Sequence, residues 1–167
     1  MTLIVITALA VLATVAQIGV VPAAFEHPLA APVLPIVLIA GWASVRSPRE
    51  VWPVPLVAAV LLGAVSQARV GWYLLALLPV VALVSLLRGG EGRALPSALR
   101  RLAYASTSGT AGAVAYVVIL ALTAGDARVL AVETGPIMMG AAWTGTLAAG
   151  LAALLWPLRT QETGLFA

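Results

Sequence analysis

The sequence predicts an all-α polytopic membrane protein, a bundle of six transmembrane helices, on three observations. Of the 167 residues, 62% are hydrophobic and 9% charged, against roughly 45–50% and about 25% in an average soluble domain. The apolar residues fall into six runs, most of them near the roughly 20 residues that cross about 30 Å of hydrocarbon. The gaps between runs are too short for a soluble module, so residues 1–167 read as a single transmembrane domain.

The first span covers 2–21 and carries no charge. Without a basic residue before Val21, it reads as a retained helix and not a cleaved signal peptide, although Pro22-Ala23-Ala24 imitates a cleavage site. The second span covers 29–45 and the third, which is short, 51–65. Pro53 and Pro55 complicate the start of the third, because neither can donate a helical hydrogen bond. Ser47-Pro48-Arg49-Glu50 has the form of a capping box with proline at the first helical position, so that helix is expected to begin early and bend. The fourth span, 70–87, should be kinked at Pro79, and the fifth covers 102–124. Leu95 to Arg101 reads as a short interfacial turn feeding the fifth, and the sixth covers 135–158.

Orientation follows from the arginines, which account for all nine basic residues. With a cytoplasmic N-terminus the inner gaps hold Arg46, Arg49, Arg88, Arg93, Arg100, Arg101 and Arg159, and the outer gaps only Arg69 and Arg128. This bias predicts that both termini are cytoplasmic. Trp42, Trp52, Tyr104 and Trp156 fall near inner ends and Trp72 and Tyr73 near an outer end, as an interfacial belt requires, whereas Trp143 and Tyr116 are expected inside the bundle. The basic inner loop of Arg88, Arg93, Arg100 and Arg101 suits anionic lipid headgroups or a cytoplasmic partner, and basicity in so apolar a chain reports topology, not nucleic-acid binding.

Catalytic constellations are scarce. The single histidine, His27, adjoins Glu26 in an outer loop and reads as one of a solvated pair; with no cysteine, neither a thiolate nor a nitrogen–sulfur metal site is available. The spans have no Asp, Glu, Lys or Arg in their central parts, which argues against an ion-coupled pump. No cofactor is expected, and the chain reads as a non-enzyme. Small and hydroxyl residues concentrate in the fifth span, including Ser108, Gly109 and Gly112, opposite a sixth span offering Ala141, Gly145 and Ala149. Such surfaces let helices approach closely in lipid, so these two spans are expected to pack together.

The first half also carries an ordered set of features. Gln17 comes late in the first span, Pro32 and Pro35 open the second, a small basic loop follows, Gly63 ends the third, and Gly71-Trp72-Tyr73 heads the fourth. This order resembles the MreD family of bacterial rod-shape-determining membrane proteins, with Gln17, Pro32, Gly63, Gly71 and Tyr73 as the matching positions. The resemblance covers about 17–87; beyond it only hydropathy and the six-span layout agree. Where many members have an aspartate after the third-helix glycine, this chain has Ser66-Gln67. The resemblance implies a non-enzymatic component of the cell-elongation and peptidoglycan-synthesis machinery in the bacterial inner membrane. Its implied partners are an MreC-like single-span protein and, through it, cell-wall synthases. Two other readings fit the residues: the substrate-binding subunit of an energy-coupling-factor vitamin transporter, also six helices, or an accessory subunit of a larger membrane complex.

Overall fold

A chain surrounded by lipid must satisfy its backbone donors internally, and coiling is the local way to do so. The computed structural model describes residues 2–66, 69–89 and 98–158, and among these no strand occurs. The helices are α1 (Thr2–Gly19), α2 (Val21–Ala24), α3 (Leu34–Val45), α4 (Pro53–Val65), α5 (Val70–Gly89), α6 (Ala98–Ala124), α7 (Arg128–Val132) and α8 (Thr134–Leu155). Six stretches are long and apolar enough to cross a membrane: α1, α5, α6, α8, and the segments Pro28–Val45 and Pro48–Val65 that end in α3 and α4.

Prolines account for the main departures from six plain spans. Expected as a continuous helix from residue 29, the second span instead opens with a 3-10 turn at Pro28–Ala30 and an extended stretch, and is α-helical only over Leu34–Val45. Pro32 excludes the α conformation from the residue before it, and Ala31 is accordingly extended at φ −80°, ψ 146°. Pro35 then takes the second position of α3, where its missing N–H leaves no gap in the helical ladder. At the third span, Pro48–Val51 forms a 3-10 turn, and Pro53 and Pro55 both fall in the first turn of α4, where no helical donor is required. Helix α5 continues through Pro79. The fifth span starts earlier than expected, at Ala98; the second part of the anticipated interfacial turn is simply the first turn of α6, while 95–97 lie outside the described residues.

Helix α6 ends in a Schellman motif. Gly125, at φ 75°, takes the left-handed conformation; its N–H bonds Leu122 O at 3.2 Å and Asp126 N–H bonds Ala121 O at 3.0 Å, which stops the helix sharply before α7. At 27 residues α6 is about 40 Å long, enough to leave the hydrocarbon and carry Arg100 and Arg101 beyond it.

The bundle is built around α3. Within the second span 72% of residues are buried, against 17% in the first, and α3 contacts α1, α4, α5, α6 and α8. Ile36, Ile39, Val45, Val54, Leu77, Val80 and Val84 are fully enclosed. Helices α6 and α8 form the most extensive pair. Two aromatic placements differ from expectation. Trp42, expected in an interfacial belt, is 5% exposed because it lies on the hub helix, and Trp143, expected inside, is 44% exposed on the outer face of α8. Trp52 and Trp72 do face outward.

Candidate functional site: the stapled ends of the central helix

The first turn of a helix leaves backbone donors without partners, and the N-cap residue usually supplies the missing acceptor. The N-cap of α3 is Val33, whose side chain has nothing to offer. Acceptors come from two other helices. Val33 N–H donates to Thr144 Oγ1 of α8 at 3.0 Å, and Leu34 N–H donates to Gln17 Oε1 of α1 at 2.7 Å. Thr144 is fully buried, and its hydroxyl hydrogen goes to Gly140 O at 2.7 Å.

From Ala30 to Val37 every backbone N–H of this broken stretch has a partner. Ala30 N–H bonds His27 O at 3.0 Å, Ala31 N–H bonds Pro28 O at 3.4 Å, and Ile36 and Val37 N–H both bond Val33 O at 3.0 Å. Pro32 and Pro35 have no N–H to satisfy. Irregular backbone is therefore tolerated at this depth because it is enclosed and paired. Enclosure depends on Gly140, since a Cβ there would run into the carbonyl oxygens of Leu29 and Ala31.

The opposite end of α3 is held by a cation. Arg101 of α6 donates from Nη1 to Val45 O at 2.8 Å and to Ser44 O at 3.3 Å, placing a positive charge where the helix dipole and unpaired carbonyls favour one. Its guanidinium also lies 5.9 Å from the centre of the Trp156 ring. Next to it, Glu50 accepts from Trp42 Nε1 at 3.0 Å and from Arg46 Nε at 2.9 Å. The expected capping box is therefore only half made: Ser47 Oγ accepts from Arg49 N–H at 3.3 Å, while Glu50 turns to the hub helix.

The structure gathers the singled-out residues into distinct joints. Gln17 forms the α1–α3 joint through Leu34, and Pro32 is buried in the extended stretch just before it. Gly63 lies against Val70, where a Cβ would come within 3.0 Å of its Cα; Gly71 and Tyr73 follow in the first turn of α5, and Gly71 has open space beside it. At the α6–α8 joint, a Cβ on Gly109 would lie 3.1 Å from Gly145 Cα, and one on Gly145 would meet Ser106 O at 2.8 Å and the Thr110 side chain. Ser108 and Ala141 are buried and Ala149 is partly buried. Gly112 differs: it faces Val80 of α5 and Ile36 of α3, not α8, since it sits three residues, about 300° of helical rotation, beyond Gly109. Of the basic inner loop, Arg100 is exposed and Arg101 partly buried; Arg93 lies outside the described residues, as does the side chain of Arg88.

His27 is not a partner of the adjacent Glu26. Its Nε2 lies 3.2 Å from Glu133 Oε2, tying the loop before α3 to the start of α8. Adjacent residues point apart, whereas the fold brings two loops of the same end together. Among the described residues no group of three or more histidine, cysteine, aspartate or glutamate side chains could hold a metal ion.

Sequence reasoning placed Gln17 and the small residues on the right helices but did not find Thr144 or Arg101 as caps. Their donor and acceptor partners are backbone groups 111 and 56 residues away in the chain, which no local pattern announces.

These features define a six-span α-helical membrane protein organised by a short helix buried from Pro35 to Val45. Compared with known proteins, the chain matches no family model, no curated protein and no solved structure.

Proposed function

We propose that this chain is a non-catalytic membrane scaffold of the bacterial cell-elongation machinery, holding an MreC-like single-span partner beside cell-wall synthases in the inner membrane. One observation carries the scaffold reading: the polar side chains packed within the bundle and at its end close on backbone, Thr14 and Ser108 on carbonyls of their own helices and three others on α3. Gln17, Thr144 and Arg101 are engaged as caps, so the interior chemistry holds the fold together and does not converge on a substrate. The family assignment itself rests on the resemblance over 17–87, and the joints formed around Gln17 and Gly63 give those residues a structural use compatible with it. In this reading both termini are cytoplasmic, on the strength of the arginine bias.

A partner helix has a place to lie. Helices α1 and α4 leave an open apolar groove of about 300 Å³ lined by Val11, Leu56, Val57, Val60 and Leu61. Packing, not charge, would hold a helix there, so the complex should survive moderately high salt in mild detergent. The test is photocrosslinking from Val60 and Val11 in living cells, followed by native purification of the tagged chain. An MreC-like protein crosslinked at these positions, with round cells on depletion, supports the proposal. Recovery of an ATPase module, or of bound vitamin without any such partner, replaces it with the transporter reading.

A further inference from the structure

A second groove, at the end of the bundle that carries Glu26, Asp126 and Glu133, has a composition that the scaffold reading does not use. It runs along α6 beneath α7, holds about 280 Å³, and is lined by apolar residues including Leu29, Val117, Leu120 and Val129, with Asp126 as its one charged lining residue. Ala124 to Tyr116 is eight residues, so the groove follows about 12 Å of helix from the membrane surface inward. An apolar channel of that depth opening beside a carboxylate matches an amphiphile with a cationic head. Two residues on, Arg128 stands exposed in the first turn of α7. The Schellman turn at Gly125 sets Asp126 at this mouth, with Arg128 close by in sequence but outside the groove lining, and neither side chain has a hydrogen bond or ion pair among the described residues.

We propose that this groove is a specific site for one phospholipid whose headgroup is a primary ammonium joined to a phosphate, as in phosphatidylethanolamine. Asp126 receives the ammonium, Arg128 the phosphate, and the α6–α7 groove one acyl chain. The site selects among lipids by hydrogen-bond chemistry. A primary ammonium offers three donors to a carboxylate, a trimethylammonium offers none, and a glycerol headgroup leaves the Asp126 charge uncompensated.

The experiment uses the full chain reconstituted in nanodiscs containing equal parts of phosphatidylethanolamine, phosphatidylcholine and phosphatidylglycerol, released for native mass spectrometry. Phosphatidylethanolamine should be retained about fivefold over phosphatidylcholine, the selectivity of a partly exposed charge-assisted pair worth about 1 kcal/mol. Asp126→Asn should bring that ratio to about one. Leu120→Trp, which fills the groove, should remove the retained lipid while Asp126 stays in place. Circular dichroism of both variants confirms that the bundle is folded. Retention of the three lipids in the bulk ratio, preference for phosphatidylglycerol, or an unchanged ratio in folded Asp126→Asn overturns the proposal. None of these outcomes depends on the identity of a protein partner.

Discussion

Removing the cap that α1 supplies to α3 should loosen the whole bundle, because all five other spans pack against α3. Gln17→Met keeps the length of the side chain and deletes the acceptor for Leu34 N–H. An unpaired buried donor costs about 1–3 kcal/mol in water-soluble proteins, while hydrogen bonds between membrane helices average about 0.6 and reach about 1.7 kcal/mol. Gln17 and Leu34 are both partly buried, which favours the lower range, and we expect a loss of about 1 kcal/mol, or about fivefold in the folding constant. Thr144→Val is nearly isosteric and removes the acceptor for Val33 N–H from a fully buried position, so its expected cost is larger, about 2 kcal/mol. The two donors are consecutive in one helix terminus. Once that terminus frays, both are released, and the double variant should cost at least about 0.5 kcal/mol less than the sum. Equilibrium unfolding in mixed micelles measures the three energies, and amide exchange at Val33 and Leu34 reports the site itself. A Gln17→Met variant with unchanged stability and unchanged exchange at Leu34 would refute the reasoning.

Three further outcomes follow from the joints. Gly145→Ala should destabilise by about 1–3 kcal/mol because Ser106 O and Thr110 occupy the space, while Gly150→Ala, with nothing near its Cβ position, should be neutral or slightly stabilising; thermal unfolding in detergent compares them. Gly140→Ala should be worse than Gly145→Ala, since every atom close to its Cβ position is backbone, of Leu29, Ala30 and Ala31, whereas at Gly145 the Thr110 side chain can move and only Ser106 O is backbone; it should appear as loss of folded protein on size exclusion. In the absence of native cysteine, single cysteines at Ala24 and Ala127 should react with an impermeant reagent outside the cell and one at Ala98 should not; labelling of Ala24 and Ala98 from the same side would contradict six spans.

Much of the fold was legible because lipid makes local chemistry decisive. With no water to satisfy a backbone group, a run of about 20 apolar residues has few options besides helix, so existence and order of the spans could be read from hydropathy alone. The joint residues were legible as types: small residues on the fifth and sixth spans, and a lone glutamine among apolar neighbours. Their partners were not, and Gly112 and Trp143 show why. A helix presents a different face every 100° or so, and hydropathy in lipid is high on all faces, so periodicity does not say which face meets protein.

The sequence by itself determined that this is a helical membrane protein and how many spans it has. Only the tertiary structure decided that the most interrupted span becomes the centre. A stretch opened by Pro32 and Pro35 cannot complete its own hydrogen bonds, so it is stable in a membrane only when neighbours complete them. Gln17, Thr144 and Arg101 do this from three other helices. Enclosure follows from that need, because donors and acceptors borrowed across 17 to 111 residues of chain can reach α3 only if α1, α6 and α8 pack around it.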